Sequence, residues 1–137
     1  MVWERHGYRV DSSEFPFVSV QFPKEVVAAG YQKLFEHYVQ LCKRGGGIGW
    51  LIDFQAFDPV LAPAAVRRAA AEVFAEHKAT LLAATLCEAR VAANPISRGV
   101  LTAFDWMTGP KWACKNFGDY AAAEAWVRTM LRTVGED

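Results

Sequence analysis

Seven residues, Ile48-Gly49-Trp50-Leu51-Ile52-Asp53-Phe54, constrain this chain more than any others. They are apolar at nearly every position, so an extended segment made of them has no face to offer water. Such a strand is normally covered on both sides, as the interior strand of a parallel sheet flanked by helices. Gly45-Gly46-Gly47 stands before it and a loop, Ala56 to Leu61, after it. The glycines follow a helical stretch and open a strand. Phosphate-cradling glycines do the reverse, following a strand and opening a helix. The glycine run therefore reads as a helix stop and a turn.

The flanking sequence alternates between the two periodicities. Val2 to Val10 reads as a strand at an edge, Asp11-Ser12-Ser13-Glu14 as turn chemistry, and Phe17 to Phe22 as a second strand forming a hairpin with the first. After Pro23, the residues Val27, Tyr31, Leu34, Phe35, Tyr38, Leu41 and Cys42 recur at helical spacing. Pro63 suits the first turn of a second helix, with Val66, Ala70, Val73, Phe74, His77 and Leu81 as its apolar stripe. Ala84 to Ala92 is a strand. Asn94-Pro95 is a cap followed by proline at the first helical position, and Ile96, Val100, Ala103, Phe104 and Met107 form the next stripe. Gly109-Pro110 breaks that helix, Lys111 to Phe117 is a short strand, and Asp119 caps a last helix facing inward through Ala123, Trp126, Val127, Met130, Leu131 and Val134. The order β-β-α-β-α-β-α-β-α predicts an α/β fold: a mixed, mostly parallel sheet of about five strands with about four helices packed against it. With 137 residues and neither linker nor repeat, residues 1–137 read as one domain.

Composition narrows the function classes. Fifteen basic residues balance fifteen acidic ones, so no long-range field draws the chain to a phosphate backbone, and nucleic acid is not an expected partner. Cys42, Cys87 and Cys114 form no CxxC pair and no Cys/His cluster, which argues against zinc and for reduced, mostly buried thiols. The charged start MVWERHGYRV is unlike a signal peptide, and no apolar run approaches the roughly 20 residues that span a bilayer. A cytoplasmic protein without a transmembrane segment, metal or cofactor is the expectation.

The search for reactive residues returns little. His6, His37 and His77 sit in no HxxxH or HExxH pattern, GxSxG is absent, and packing accounts for each histidine. Asp53 and Asp58 flank the end of the apolar strand, where open α/β sheets bind ligands; hydrogen bonds to loop amides explain them as well. Asn94, Ser97 and Arg98 open a helix whose N-terminus suits an anion, although capping alone accounts for Asn94. Trp106 and Trp112 flank the Gly109-Pro110 turn, where exposure would mark a contact surface or pocket wall; core packing is the competing reading.

Trp50-Leu51-Ile52-Asp53-Phe54, the stretch Ala89 to Gly99, and Lys115-Asn116-Phe117-Gly118-Asp119-Tyr120-Ala121 through Ala125-Trp126-Val127 resemble a STAS-type domain, most closely the SpoIIAA-like branch (anti-sigma-factor-antagonist-like proteins of bacteria). That resemblance implies a small sheet with helices against one side and a role in protein–protein regulation. In phosphoswitch members a Ser or Thr follows the Asp-ending strand, and its phosphorylation releases the partner. Here Phe54 to Ala65 contains no Ser, Thr or Tyr, so that switch is chemically unavailable.

Three readings follow. The first is a non-enzymatic regulatory or scaffolding module acting by protein–protein contact through Asp53, Phe57, Asp58, Val60 and Leu61, with homodimerisation compatible. The second is a domain binding a small apolar ligand or lipid between helices and sheet, with Asn94, Ser97, Arg98, Trp106 and Trp112 as candidates. The third is an enzyme assembled in space, for instance from Cys87 or Cys114 with His77.

Overall fold

The alternation of strands and helices is present in a computed structural model that describes residues 1–109 and 111–135. The elements are β1 (Val2–Arg5), β2 (Tyr8–Glu14), β3 (Phe17–Gln21), α1 (Ala28–Cys42), β4 (Ile48–Asp53), α2 (Ala64–Ala84), β5 (Thr85–Val91), α3 (Pro95–Thr108), β6 (Ala113–Phe117) and α4 (Tyr120–Gly135), with a 3-10 turn at Pro59–Leu61. All six strands form one sheet in sequence order. β1, β2 and β3 pair antiparallel; β3 through β6 pair parallel.

The sequence order explains the layering. Each step from β3 to β6 moves one strand in the same direction, and right-handed crossovers then lay every connecting helix on one face. α1, α2 and α3 accordingly cover one side, in a core built from Val18, Val20, Trp50, Ile52, Leu34 and Phe74 among others. α4 follows the last strand and lies on the opposite face, against Leu51, Cys87, Ala89 and Val91. This two-sided covering departs from the one-sided layout that the STAS-type resemblance implies, and it is what the doubly apolar β4 demands. Gly49 makes the second layer fit: a Cβ there would stand 2.7 Å from Val127 Cγ1.

Val134, expected on the inward face of the last helix, stands 50% exposed, and three further sequence expectations need correction. Val2 to Val10 is not one strand but two, so the sheet has six strands rather than about five. The chain reverses at His6-Gly7, both at positive φ (52° and 83°), the backbone a two-residue hairpin turn requires. Asp11 to Glu14 is not a turn: it is the end of β2, where Asp11 Oδ1 accepts hydrogen bonds from Ser13 N (2.9 Å) and Oγ (2.7 Å) and the register with β3 shifts. Turn-forming side chains thus make a bulge inside a strand, and the reversal comes later, at Phe15-Pro16. Third, the stripe assigned to α3 is rotated. Its inward face is Ser97, Leu101 and Phe104, while Ile96, Ala103 and Met107 face outward. Of the expected Gly109-Pro110 break, Gly109 caps α3; Pro110 lies outside the described residues.

Candidate functional site

β5 carries the feature that organises the site. Cys87, Ala89 and Val91 face α4, which turns Glu88 and Arg90 toward α1, α2 and α3. They occupy the row that begins with Trp50 and Ile52 on β4, their register partners. Two charges are therefore buried where apolar side chains belong, Glu88 7% and Arg90 4% exposed. Buried charges persist when paired and hydrogen-bonded, and these are. Arg90 Nε donates to Glu88, and its two terminal nitrogens make a bidentate pair with Asp105 of α3 at 2.8 and 2.7 Å. Lys111 Nζ donates to Asp105 Oδ1 at 2.8 Å and Thr108 Oγ1 at 3.0 Å, and lies over the Phe74 ring. Glu88 also accepts from Trp112 Nε1 at 3.2 Å and from the Cys114 thiol.

The electrostatics follow from this packing. Burial disfavours charge on Arg90, yet the Glu88 carboxylate and the Asp105 hydrogen bonds outweigh it and raise its pKa. Burial likewise opposes ionisation of Asp105, but hydrogen bonds from Arg90 and Lys111 hold it below the usual carboxylate range. Of the three cysteines expected to be mostly buried, only Cys87 is; Cys42 is half-buried and Cys114 is exposed on the last strand. Desolvation of its thiol and the neighbouring Glu88 carboxylate nevertheless push Cys114 up to about 12, and the same two causes push Cys87 up to about 11. A nucleophilic cysteine needs the opposite shift. Cys87 faces α4, whereas the His77 ring lies 6.0 Å from Phe35, in the other layer. Among the described residues no group of three or more His, Cys, Asp or Glu is placed to hold a metal ion.

Beside this ion network lies a cavity of about 50 Å³, walled by Tyr38, Trp50, Phe74, Glu88, Arg90 and Trp112 among others. A second cavity of about 80 Å³ adjoins it, sharing Phe22, Tyr31, Phe54, Leu101 and Phe104 and reaching Phe57, Val66 and Arg67. The Tyr38 hydroxyl is buried without a hydrogen-bond partner.

The residues singled out from sequence separate into local roles and exposed ones. Asp53 Oδ1 accepts from Gln55 N (2.9 Å) and Asp58 Oδ1 from Val60 N (3.0 Å), so both organise the loop after β4. Phe57 packs half-buried against Phe54, Leu61 is half-buried, and Val60 stands 79% exposed. Asn94 caps α3 by accepting from Ile96 N at 2.7 Å. Ser97 is buried with its hydroxyl unpartnered. Arg98 folds back on the chain, donating to Ala92 O (2.7 Å) and Ala93 O (3.1 Å). Trp106 and Trp112 diverge: Trp106 is 85% exposed and Trp112 turns in to Glu88. Glu88, Arg90, Asp105 and Lys111 were not among the sequence candidates. Two opposite charges at i and i+2 inside an apolar strand were the available signal, since period 2 places both on one face.

The outward side of α3 completes the geometry. Ile96, Gly99, Thr102, Ala103, Trp106 and Met107 are exposed and uncharged. At 3.6 residues per turn, Ile96, Ala103, Trp106 and Met107 fall within a sector of roughly 100°. The exposed positions of α2, by contrast, include Arg68, Glu72 and Glu76. The 3-10 turn bearing Val60 packs beside α3.

At the N-terminal hairpin, the His37 ring stacks on Trp3 at 4.8 Å with Nε2 buried and unpartnered. Burial lowers its pKa. The stabilising contribution of neutral His37 is present above the unfolded value near 6.5 and is lost as pH falls through the lowered folded value. The urea midpoint is expected to drop between pH 7.5 and pH 5.5 by more in the native sequence than in His37→Gln.

No protein-family model matches the chain, and no curated protein or solved structure resembles it closely enough to indicate relationship. Among the described residues no helix is long and apolar enough to cross a membrane.

Proposed function

We propose that the chain is a regulatory or scaffolding module, without catalytic activity of its own, that acts by docking another protein on the outward face of α3. The observation that carries this reading is the outer surface of that helix. Trp106 (85% exposed), Ile96 (63%) and Met107 (49%) lie there with no charged neighbour on the same sector. A helix apolar on both sides is ordinarily buried on both, and exposed apolar patches mark interaction sites. Tryptophan is also the residue most enriched among energetic hot spots of interfaces. Val60 extends the surface from the neighbouring turn, which keeps the loop after Asp53 in the docking region as the STAS-type resemblance suggests. With no hydroxyl in that loop, docking there is constitutive rather than phosphate-switched.

The double variant Trp106→Ser/Met107→Ser is expected to weaken partner capture about 30-fold or more, corresponding to about 2 kcal/mol or more. Because both side chains are exposed, its urea midpoint should match that of the native sequence within about 0.5 kcal/mol. Light scattering on both proteins distinguishes a second copy of the chain from a different partner. Unchanged capture by the double variant would sink the proposal.

A further inference from the structure

We propose that the cavity between the sheet and helices α1–α3 is a binding site for an uncharged single-ring compound carrying a hydroxyl, with phenol as the simplest member of the class. The proposal stands independently of docking on α3.

Three observations carry it. The wall is aromatic: Tyr31, Phe35, Tyr38, Trp50, Phe74 and Trp112 present ring faces and edges to one space, and flat rings pack best against such surroundings. The charged and indole groups of the wall are spoken for, whereas the hydroxyls of Tyr31 and Tyr38 are not, and of these two the Tyr38 hydroxyl is the fully buried one. Trp50 Nε1 donates to Thr85 Oγ1 at 2.9 Å, Trp112 Nε1 to Glu88, and Arg90 pairs with Glu88 and Asp105. The Tyr38 hydroxyl, on a residue only 4% exposed, has no partner. A buried hydroxyl left unpaired is a cost to the fold that calls for an explanation, and a ligand hydroxyl would meet it. The third observation sets the charge. Beside Tyr38, the carboxylates of Glu88 and Asp105 are matched by Arg90 and Lys111, and Arg67 belongs to the wall of the second cavity and not of the first. An ionic group entering next to Tyr38 would therefore find no counter-charge, which a desolvated site penalises.

Size bounds the ligand from above. The two adjoining cavities measure about 50 and 80 Å³, against the roughly 150 Å³ of an apolar protein cavity that holds benzene. A single ring is admitted if the shared wall, Tyr31 or Phe104, shifts a little; a fused ring or an acyl chain is not. Tyr38 also remains a neutral phenol at any physiological pH, because burial raises its pKa well above the ordinary value. Its O–H can therefore both donate to and accept from the ligand hydroxyl.

The test titrates phenol, toluene and benzoate into the native protein and into Tyr38→Phe, reading the fluorescence of wall tryptophans Trp50 and Trp112 and chemical shifts of the same indoles. Tyr38→Phe keeps the ring and removes an unpartnered hydroxyl, so it should fold as the native chain does. Phenol is expected to saturate the native protein and bind about tenfold tighter than toluene, the worth of one hydrogen bond. In Tyr38→Phe phenol should lose that tenfold while toluene is unchanged, and benzoate should not bind either protein. The idea is overturned if phenol does not perturb the wall tryptophans, meaning that water alone occupies the cavity. It is equally overturned if Tyr38→Phe weakens phenol and toluene alike, or if benzoate competes with phenol.

Discussion

Replacing Arg90 with leucine is expected to lower the unfolding free energy by roughly 3–5 kcal/mol, the usual cost of leaving one member of a buried ion network unpaired. The guanidinium is bonded to Glu88 on its own strand and bidentately to Asp105 on α3. Its removal strands the Glu88 carboxylate, whose side chain is 9% exposed, and cuts the polar tie between the sheet and α3. Asp105 suffers less, because it keeps Lys111 and is partly solvated. The sign of a second substitution separates pairing from packing. Glu88→Leu combined with Arg90→Leu removes the stranded charge and should recover a large part of the loss, since apolar replacements of whole buried ion pairs are often neutral or stabilising. Urea unfolding of the two variants checks this. A single variant within 1 kcal/mol of the native sequence would show that water already solvates the network.

The second large effect is expected from Trp50→Ala, a destabilisation of roughly 3–5 kcal/mol, as for other buried tryptophans truncated to alanine. Trp50 is 2% exposed on the strand that both helical layers cover. Its ring lies 4.6 Å from that of Tyr38, and its indole N–H is satisfied by Thr85. The site cannot collapse easily: β3 and β5 clamp β4 on both sides through parallel ladders. The enlarged space would also open onto the cavity at Tyr38, so single-ring probes should raise the urea midpoint of this variant more than that of the native protein. A loss below about 1.5 kcal/mol, measured by the same unfolding curve, would mean the layers close over the gap.

The fold was legible wherever periodicity was strong. Tyr31, Leu34, Phe35, Tyr38 and Leu41 mark the buried face of α1, and Ala123 and Val127 that of α4. β4 was readable because an all-apolar strand has only one kind of place to go. What was not legible had competing local causes. His6-Gly7 lacks the asparagine that usually announces a hairpin, although histidine tolerates the left-handed region better than most residues. Asp11 and Ser13 carry turn chemistry that the sheet absorbs as a bulge. On α3 two apolar stripes compete, one through Leu101 and Phe104 and one through Ile96, Ala103 and Met107, and spacing alone does not say which faces the sheet. That ambiguity is itself informative, because the stripe that lost is the exposed surface proposed for docking. Of the candidate site, Trp106 and Val60 could be named from sequence. The ion network could not, because Asp105 and Lys111 reach Glu88 and Arg90 only once α3 is laid across the sheet.

Photo-cross-linking bears most directly on the docking claim. A benzoylphenylalanine placed at position 106 is compared with one at position 72, an exposed site on α2, in host cells making the full chain at native levels. Docking on α3 predicts one dominant adduct from position 106 that is absent from position 72. The contradicting result is equal adduct yield from both positions, or none from position 106.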